Sequence, residues 1–131
     1  MKYDPLYVQY LHYFNAEQDY FECHEVMEEL WIEEARDALY QGLLQVAVGL
    51  FHARNDNVSG AVKLFTQALD KLKRYPENEL GIDFAALVAD SERYLTSLQE
   101  NTVSPYPFEP FNIVITDPQL AALVDECGSA Q

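Results

Sequence analysis

Histidine, glutamate and glutamine recur in the first half of this chain at spacings that place them on shared helix faces. In DYFECHEVMEELW, residues 19–31, His24 is followed by Glu25 and Glu28. His24 and Glu28 stand four apart, so on a helix their side chains meet. Such a pair can work as a general base with its orienting carboxylate, which makes His24, Glu25 and Glu28 the catalytic candidates. It can equally supply two adjacent ligands to a divalent metal ion. A second group follows in ALYQGLLQVAVGLFHA, residues 38–53, where Gln41, Gln45 and His52 are the polar side chains besides Tyr40. On a helix these three fall within about 40° of one another. Two histidines and a carboxylate can hold zinc, iron or manganese. His24, Glu28 and His52 are therefore the candidate metal set, with Glu25 or a glutamine behind it. Hydrolysis by a metal-bound water is the reaction such a set would support.

Neither familiar metal motif is complete. HEVME lacks the second histidine of the HExxH zincin pattern. A di-iron bundle needs a glutamate three residues before a histidine, and those positions before His12, His24 and His52 hold Gln9, Phe21 and Gly49. With His24 at zero on its helical wheel, Tyr20, Phe21, Met27 and Trp31 lie within about 60° of it, Ile32 near +80° and Glu28 near +40°. This predicts that His24 and Glu28 face inward and that Glu25 sits at the border, with Glu22, Glu29 and Glu33 on the solvent side. Trp31 is expected as a wall of the site and Cys23 as a small core residue.

Two readings of the cluster stay open. In one it is a pocket for a metal or small ligand, with His24 and Glu28 facing Gln41, Gln45 and His52. In the other it is a buried hydrogen-bond network of a non-catalytic structural or interaction protein.

The elements that must position these residues read as helices. Asp4-Pro5 opens one with Leu6, Tyr7, Tyr10, Leu11 and Phe14 at helical spacing and Asn15 at its end. Asp19 with Glu22 forms a capping box for a second helix running to about Glu33. A third covers about Arg36 to Arg54 and is apolar nearly all round, as a central helix should be. Its Gly42 and Gly49 would let another backbone come close. The fourth starts near Asn57, expected as its cap, and stops at Tyr75-Pro76. The fifth starts at Asp83. After Asn101, SPYPFEPFNIVIT has three prolines and no helical period, which predicts an extended strap, and Asp117-Pro118 opens a short last helix. The expectation is an all-α antiparallel bundle of about five helices with a C-terminal strap, residues 1–131 forming one domain.

Of the 131 residues, 49% are hydrophobic, a globular composition. Twenty-two acidic against 8 basic residues give a net charge of −14. That sign argues against nucleic acid and anionic membranes and suits a cation or a basic partner. Cys23 and Cys127 have no metal-binding or disulfide spacing. No apolar run is long enough to span a bilayer, and MKYDPLYVQYLHYF is too polar for a secretory segment, so the expected location is the cytoplasm. Exposed N-terminal tyrosines and the aromatic strap could form a homodimer surface.

FNAEQDYFECHEVMEELW, QGLLQVAVGLFHAR and NDNVSGA, in this order and spacing, resemble the bacterial and archaeal family of domains of unknown function 309. Its hallmark is FN…YFEAHEVLEELW, then QGLIQLAVALYH, then GN..GA. The resemblance covers residues 14–72, and His24, Glu25, Glu28, Trp31, Gln41, Gly42, Gln45, His52, Asn57 and Gly60 fall on motif positions. It implies a compact all-helical domain with a shared polar site or network, and no established activity. The one departure is Asp56-Asn57 where the family has Gly-Asn.

Overall fold

A computed structural model of the chain describes residues 3–34, 37–75 and 79–129. Every α-helix in it starts at an Asp or Asn whose side chain accepts a hydrogen bond from a first-turn amide. Asp4 takes Leu6 N at 2.8 Å, Asp19 takes Glu22 N at 3.1 Å, and Asp37 takes Leu39 N at 2.8 Å. Asn57 takes Gly60 N at 3.1 Å, Asp83 takes Ala86 N at 3.0 Å, and Asp117 takes Gln119 N at 2.9 Å. The helices so started are α1 (Pro5–His12), α2 (Tyr20–Glu33), α3 (Ala38–Arg54), α4 (Val58–Leu72), α5 (Phe84–Glu100) and α6 (Pro118–Ser129). Among the described residues there is no β-strand, only an isolated bridge between Ile82 and Ile115. The fold is all-α, with one helix more than the main five. Arg36 and Pro76, expected at a helix start and a helix stop, lie outside the described residues.

Helices α1 to α5 each contact the next across a short connection, and α6 returns onto α1. Helix α3 is the centre, touching both α2 and α4. Its glycines make room for side chains of α4 rather than for a backbone. A Cβ on Gly42 would come within 2.9 Å of Leu72, and one on Gly49 within 2.8 Å of the Phe65 ring. One apolar core draws on all six helices, with Tyr10, Phe14, Tyr20, Leu43, Leu50 and Phe65 fully enclosed.

The first helix does not stop at Asn15. A π-helical turn, Tyr13–Glu17, extends it, and Gln18 closes that turn in the left-handed region at φ 52°. Asn15 instead clamps residues 101–117, which run extended as a strap. Its amide nitrogen donates to the Ile113 carbonyl and its oxygen accepts from Ile113 N, both at 2.8 Å. The strap is also held at Asp56, whose carboxylate accepts Tyr106 N at 2.8 Å and the Ser104 hydroxyl at 3.2 Å. Tyr7 and Tyr10 are buried, and Tyr3 donates to the Asp117 carboxylate. Of the N-terminal tyrosines, Tyr7 and Tyr10 are therefore core residues and Tyr3 is a tether.

Candidate functional site

The apolar side of α2 is set by Tyr20, Cys23, Met27 and Leu30, all fully buried. That stripe is rotated from the expected one. Phe21 and Ile32, counted as inward on the wheel, are 53% and 54% exposed. His24 consequently lies at the margin of the buried face, with a third of its side chain open to solvent. Glu28 faces outward and is half exposed. The expected pairing still forms, with His24 Nε2 3.1 Å from Glu28 Oε2, and Glu25 Oε1 lies 3.1 Å from Nδ1. A neutral imidazole carries one N–H, so it can donate to only one of the two carboxylates; a protonated ring could donate to both.

The stripe on α3 divides. Gln45 is buried and turns to α4, its amide nitrogen donating to Gln67 Oε1 at 3.0 Å. Gln41 is half buried. No hydrogen bond among the described residues joins His24 or Glu28 to Gln41 or Gln45. This corrects the expectation of facing polar stripes. Helix α3 is flanked by α2 and α4, and its glutamine stripe borders both, so one residue of it can serve α4 while another serves α2.

His52 is the member that reaches α2. Its ring is set by Asn57, whose amide nitrogen lies 3.2 Å from His52 Nδ1. With the amide donating, Nδ1 is the acceptor and Nε2 carries the proton. The same Asn57 caps α4 through its oxygen, so one side chain starts a helix and orients an imidazole. Gly60 sits so close beneath it that a Cβ there would lie 2.5 Å from the Asn57 amide.

His24 and His52 open onto one cleft of about 180 Å³ between α2 and α3, lined by Tyr20, Phe21, His24, Val48, Phe51 and His52. Trp31, expected as its wall, does not line it; Phe21 and Phe51 do. Their motif positions, immediately before Glu22 and His52, are the signal that sequence reasoning passed over. Arg54 Nη1 donates to the Gln18 carbonyl at 2.6 Å, and its guanidinium carbon lies 4.9 Å from the centroid of the Tyr20 ring. A broader depression, about 740 Å³ along α5 and the start of the strap, contains none of the motif residues.

Among the described residues, no three His, Cys, Asp or Glu side chains are grouped so that they could hold one metal ion. The expected set of His24, Glu28 and His52 is not assembled, because Glu28 lies on the outer side of His24 and His52 Nδ1 is engaged by Asn57. Cys23 is no nucleophile. It is buried, its thiol donates to the Tyr10 carbonyl at 3.5 Å, and burial pushes it well above the ordinary thiol range.

Residues 7–64 match the model of a domain of unknown function, DUF309. YpuF, an uncharacterized protein of Bacillus subtilis (strain 168), is 35% identical over 109 residues, which are 79% of this chain and 62% of YpuF. An uncharacterized protein of Aquifex aeolicus (strain VF5) is 29% identical over 80 residues, 59% of this chain and 24% of that protein. This chain therefore spans less than two thirds of the length of either relative. No solved structure gives a significant match.

Proposed function

We propose that the chain is a binding module, from the cleft between α2 and α3 within residues 7–64, which match the DUF309 model. The cleft between α2 and α3 takes one small apolar group. The observation that carries this reading is the composition of the cleft: Tyr20, Phe21, Val48 and Phe51 line it with the two imidazoles, and Phe21 stays more than half exposed beside it. A large ring held at that exposure beside a concave apolar surface is ready to be covered by a ligand. Cofactor-sized ligands ordinarily occupy about 300–1,000 Å³. A cleft of about 180 Å³ suits a single side chain or head group instead.

Binding is favoured over catalysis by the state of the reactive groups. Cys23 is sealed in the core. His24 is engaged by carboxylates at the rim, and His52 is oriented by a helix cap. None of these contacts aims a nucleophile at the cleft. No helix among the described residues is long and apolar enough to cross a membrane.

The test is a titration of the isotope-labelled chain with indole, followed by amide chemical shifts. The shifts are expected to concentrate at residues 20–24 and 48–52. Val48→Phe, which fills the cleft from its floor, should abolish them. Shifts scattered over the chain, or unchanged in Val48→Phe, would sink the reading.

A further inference from the structure

The rings around the cleft form a chain. The Phe21 centroid is 6.5 Å from that of His24 and 6.4 Å from that of Phe51, and Phe51 is 5.9 Å from His52. The planes meet at 40°, 48° and 66°, so the rings are inclined to one another instead of stacking flat. Tyr20 completes the lining, and Val48 is its one non-aromatic member. An aromatic ring carries a negative π face that can receive a soft cation, and Phe21 and Phe51 both line this space. The Arg54 guanidinium lies over the Tyr20 ring, which is fully buried, so the rings left for a ligand are Phe21 and Phe51 with the two imidazoles.

Charge around the cleft points the same way. Glu25 and Glu28 flank His24 on its outer side, both about half exposed, and Arg54 lies over Tyr20. The chain as a whole carries −14. Anions are repelled, and a neutral apolar group gains nothing from this field. Hydrogen-bonding capacity narrows the choice. A primary ammonium is strongly hydrated and needs acceptors, and the carboxylates that could accept lie on the outer side of His24, turned to it. A fully alkylated ammonium donates no hydrogen bond and loses little hydration on entering an aromatic space.

We infer that the ligand of this cleft is a trimethylammonium-type organic cation, seated against Phe21 and Phe51 and attracted by Glu25 and Glu28. The inference rests on the reading of the cleft as a binding site for one small apolar group. Two sources share this chemistry, a free small molecule and a trimethylated lysine side chain.

The experiment compares choline with dimethylbutanol, its uncharged carbon isostere, on the intact labelled chain near neutral pH. Choline is expected to bind about fivefold or more tightly than the isostere, with shifts at residues 20–24 and 48–52. The preference should fall in Phe21→Leu, which keeps apolar bulk and removes the ring, and in Glu25→Gln/Glu28→Gln, which keeps shape and removes charge. Circular dichroism of each variant checks that the helices are retained. A capped trimethyllysine amide run beside choline assigns the source by whichever binds more tightly. Equal binding of choline and the isostere would leave the cleft a binding site but overturn the cation. A preference unchanged in Phe21→Leu would overturn it too. No shift with either compound, together with none from indole, would bring down the underlying reading.

Discussion

His24 shows how much a single residue depends on where the face of its helix is centred. Its partnership with Glu28 was legible, because a spacing of four fixes it whatever the fold. Its burial was not. Phe21 and Ile32 pulled the apolar arc toward His24 on the wheel, yet both are more than half exposed. Surface apolar residues are common and do not mark the core side. What decides is the partner helix, and the core of α2 lies along Tyr20, Cys23, Met27 and Leu30. Tyr20 offers a test at this scale. Its ring is buried between Phe14 and Phe108, its hydroxyl has no hydrogen-bond partner among the described residues, and burial lifts that hydroxyl to about 12. An unsatisfied buried hydroxyl costs about 1–3 kcal/mol. Tyr20→Phe is therefore expected to keep or raise the denaturant midpoint, by up to about 1 kcal/mol of stability. A loss of more than that would mean that the hydroxyl has an acceptor.

At the scale of elements, the starts of five helices could be read, since an Asp or Asn at each is a local signal, whereas α3 was expected from about Arg36 and its cap, Asp37, was passed over. The strap was read as extended, but what holds it could not be. Asn15 and Ile113 are 98 residues apart, and Asp56 and Tyr106 are 50 apart. No local pattern announces such bonds. Asn15 looked like a helix end because asparagine is common there, and its side chain turned out to imitate a strand neighbour to Ile113. Asp56 stands where the family pattern that this chain resembles has glycine. It sits at φ 60°, in the left-handed region where glycine is unstrained. Asp tolerates that region better than most residues, and here its carboxylate ties down the strap. Asp56→Gly is expected to relax the backbone while freeing the strap, and Asp56→Ala to keep the strain and free the strap. Both should speed hydrogen exchange at Tyr106 N, with Asp56→Ala the less stable of the two by about 1 kcal/mol. Unchanged exchange at Tyr106 in both would show that the carboxylate does not hold the strap.

The molecule as a whole is tuned against high pH. Burial raises the hydroxyls of Tyr7, Tyr10 and Tyr94 far above their ordinary range, and the Cys23 thiol with them. The Tyr3 hydroxyl is lifted to about 12, chiefly by its hydrogen bond to Asp117. A raised pKa means that the folded state resists giving up the proton. The stabilisation is complete below the unfolded value of about 10 for tyrosine and shrinks as pH rises past it. The net charge of −14 adds repulsion in the same direction, since each tyrosinate deepens it. Stability should therefore fall steeply above about pH 10, and tyrosinate absorbance should appear together with the loss of helical circular dichroism. Tyrosinate formation well before helix loss would show the rings to be open to solvent. The all-helical class was legible at this scale from apolar periodicity, whereas the assembly of the cleft was not, because it depends on how α2 rolls against α3.

The strap bears on how the chain comes into being. A chain made from its N-terminus exposes Asn15 and Asp56 long before Ile113 and Tyr106 exist. Contacts between neighbouring helices form over short loops and can close early. Closing the strap must wait until residue 113 has been made, and until then Phe14, Tyr20 and Tyr94 lack the covering rings of Phe108 and Phe111. During synthesis, the growing chain would pass through a stage in which its aromatic flank is bare and open to chaperones.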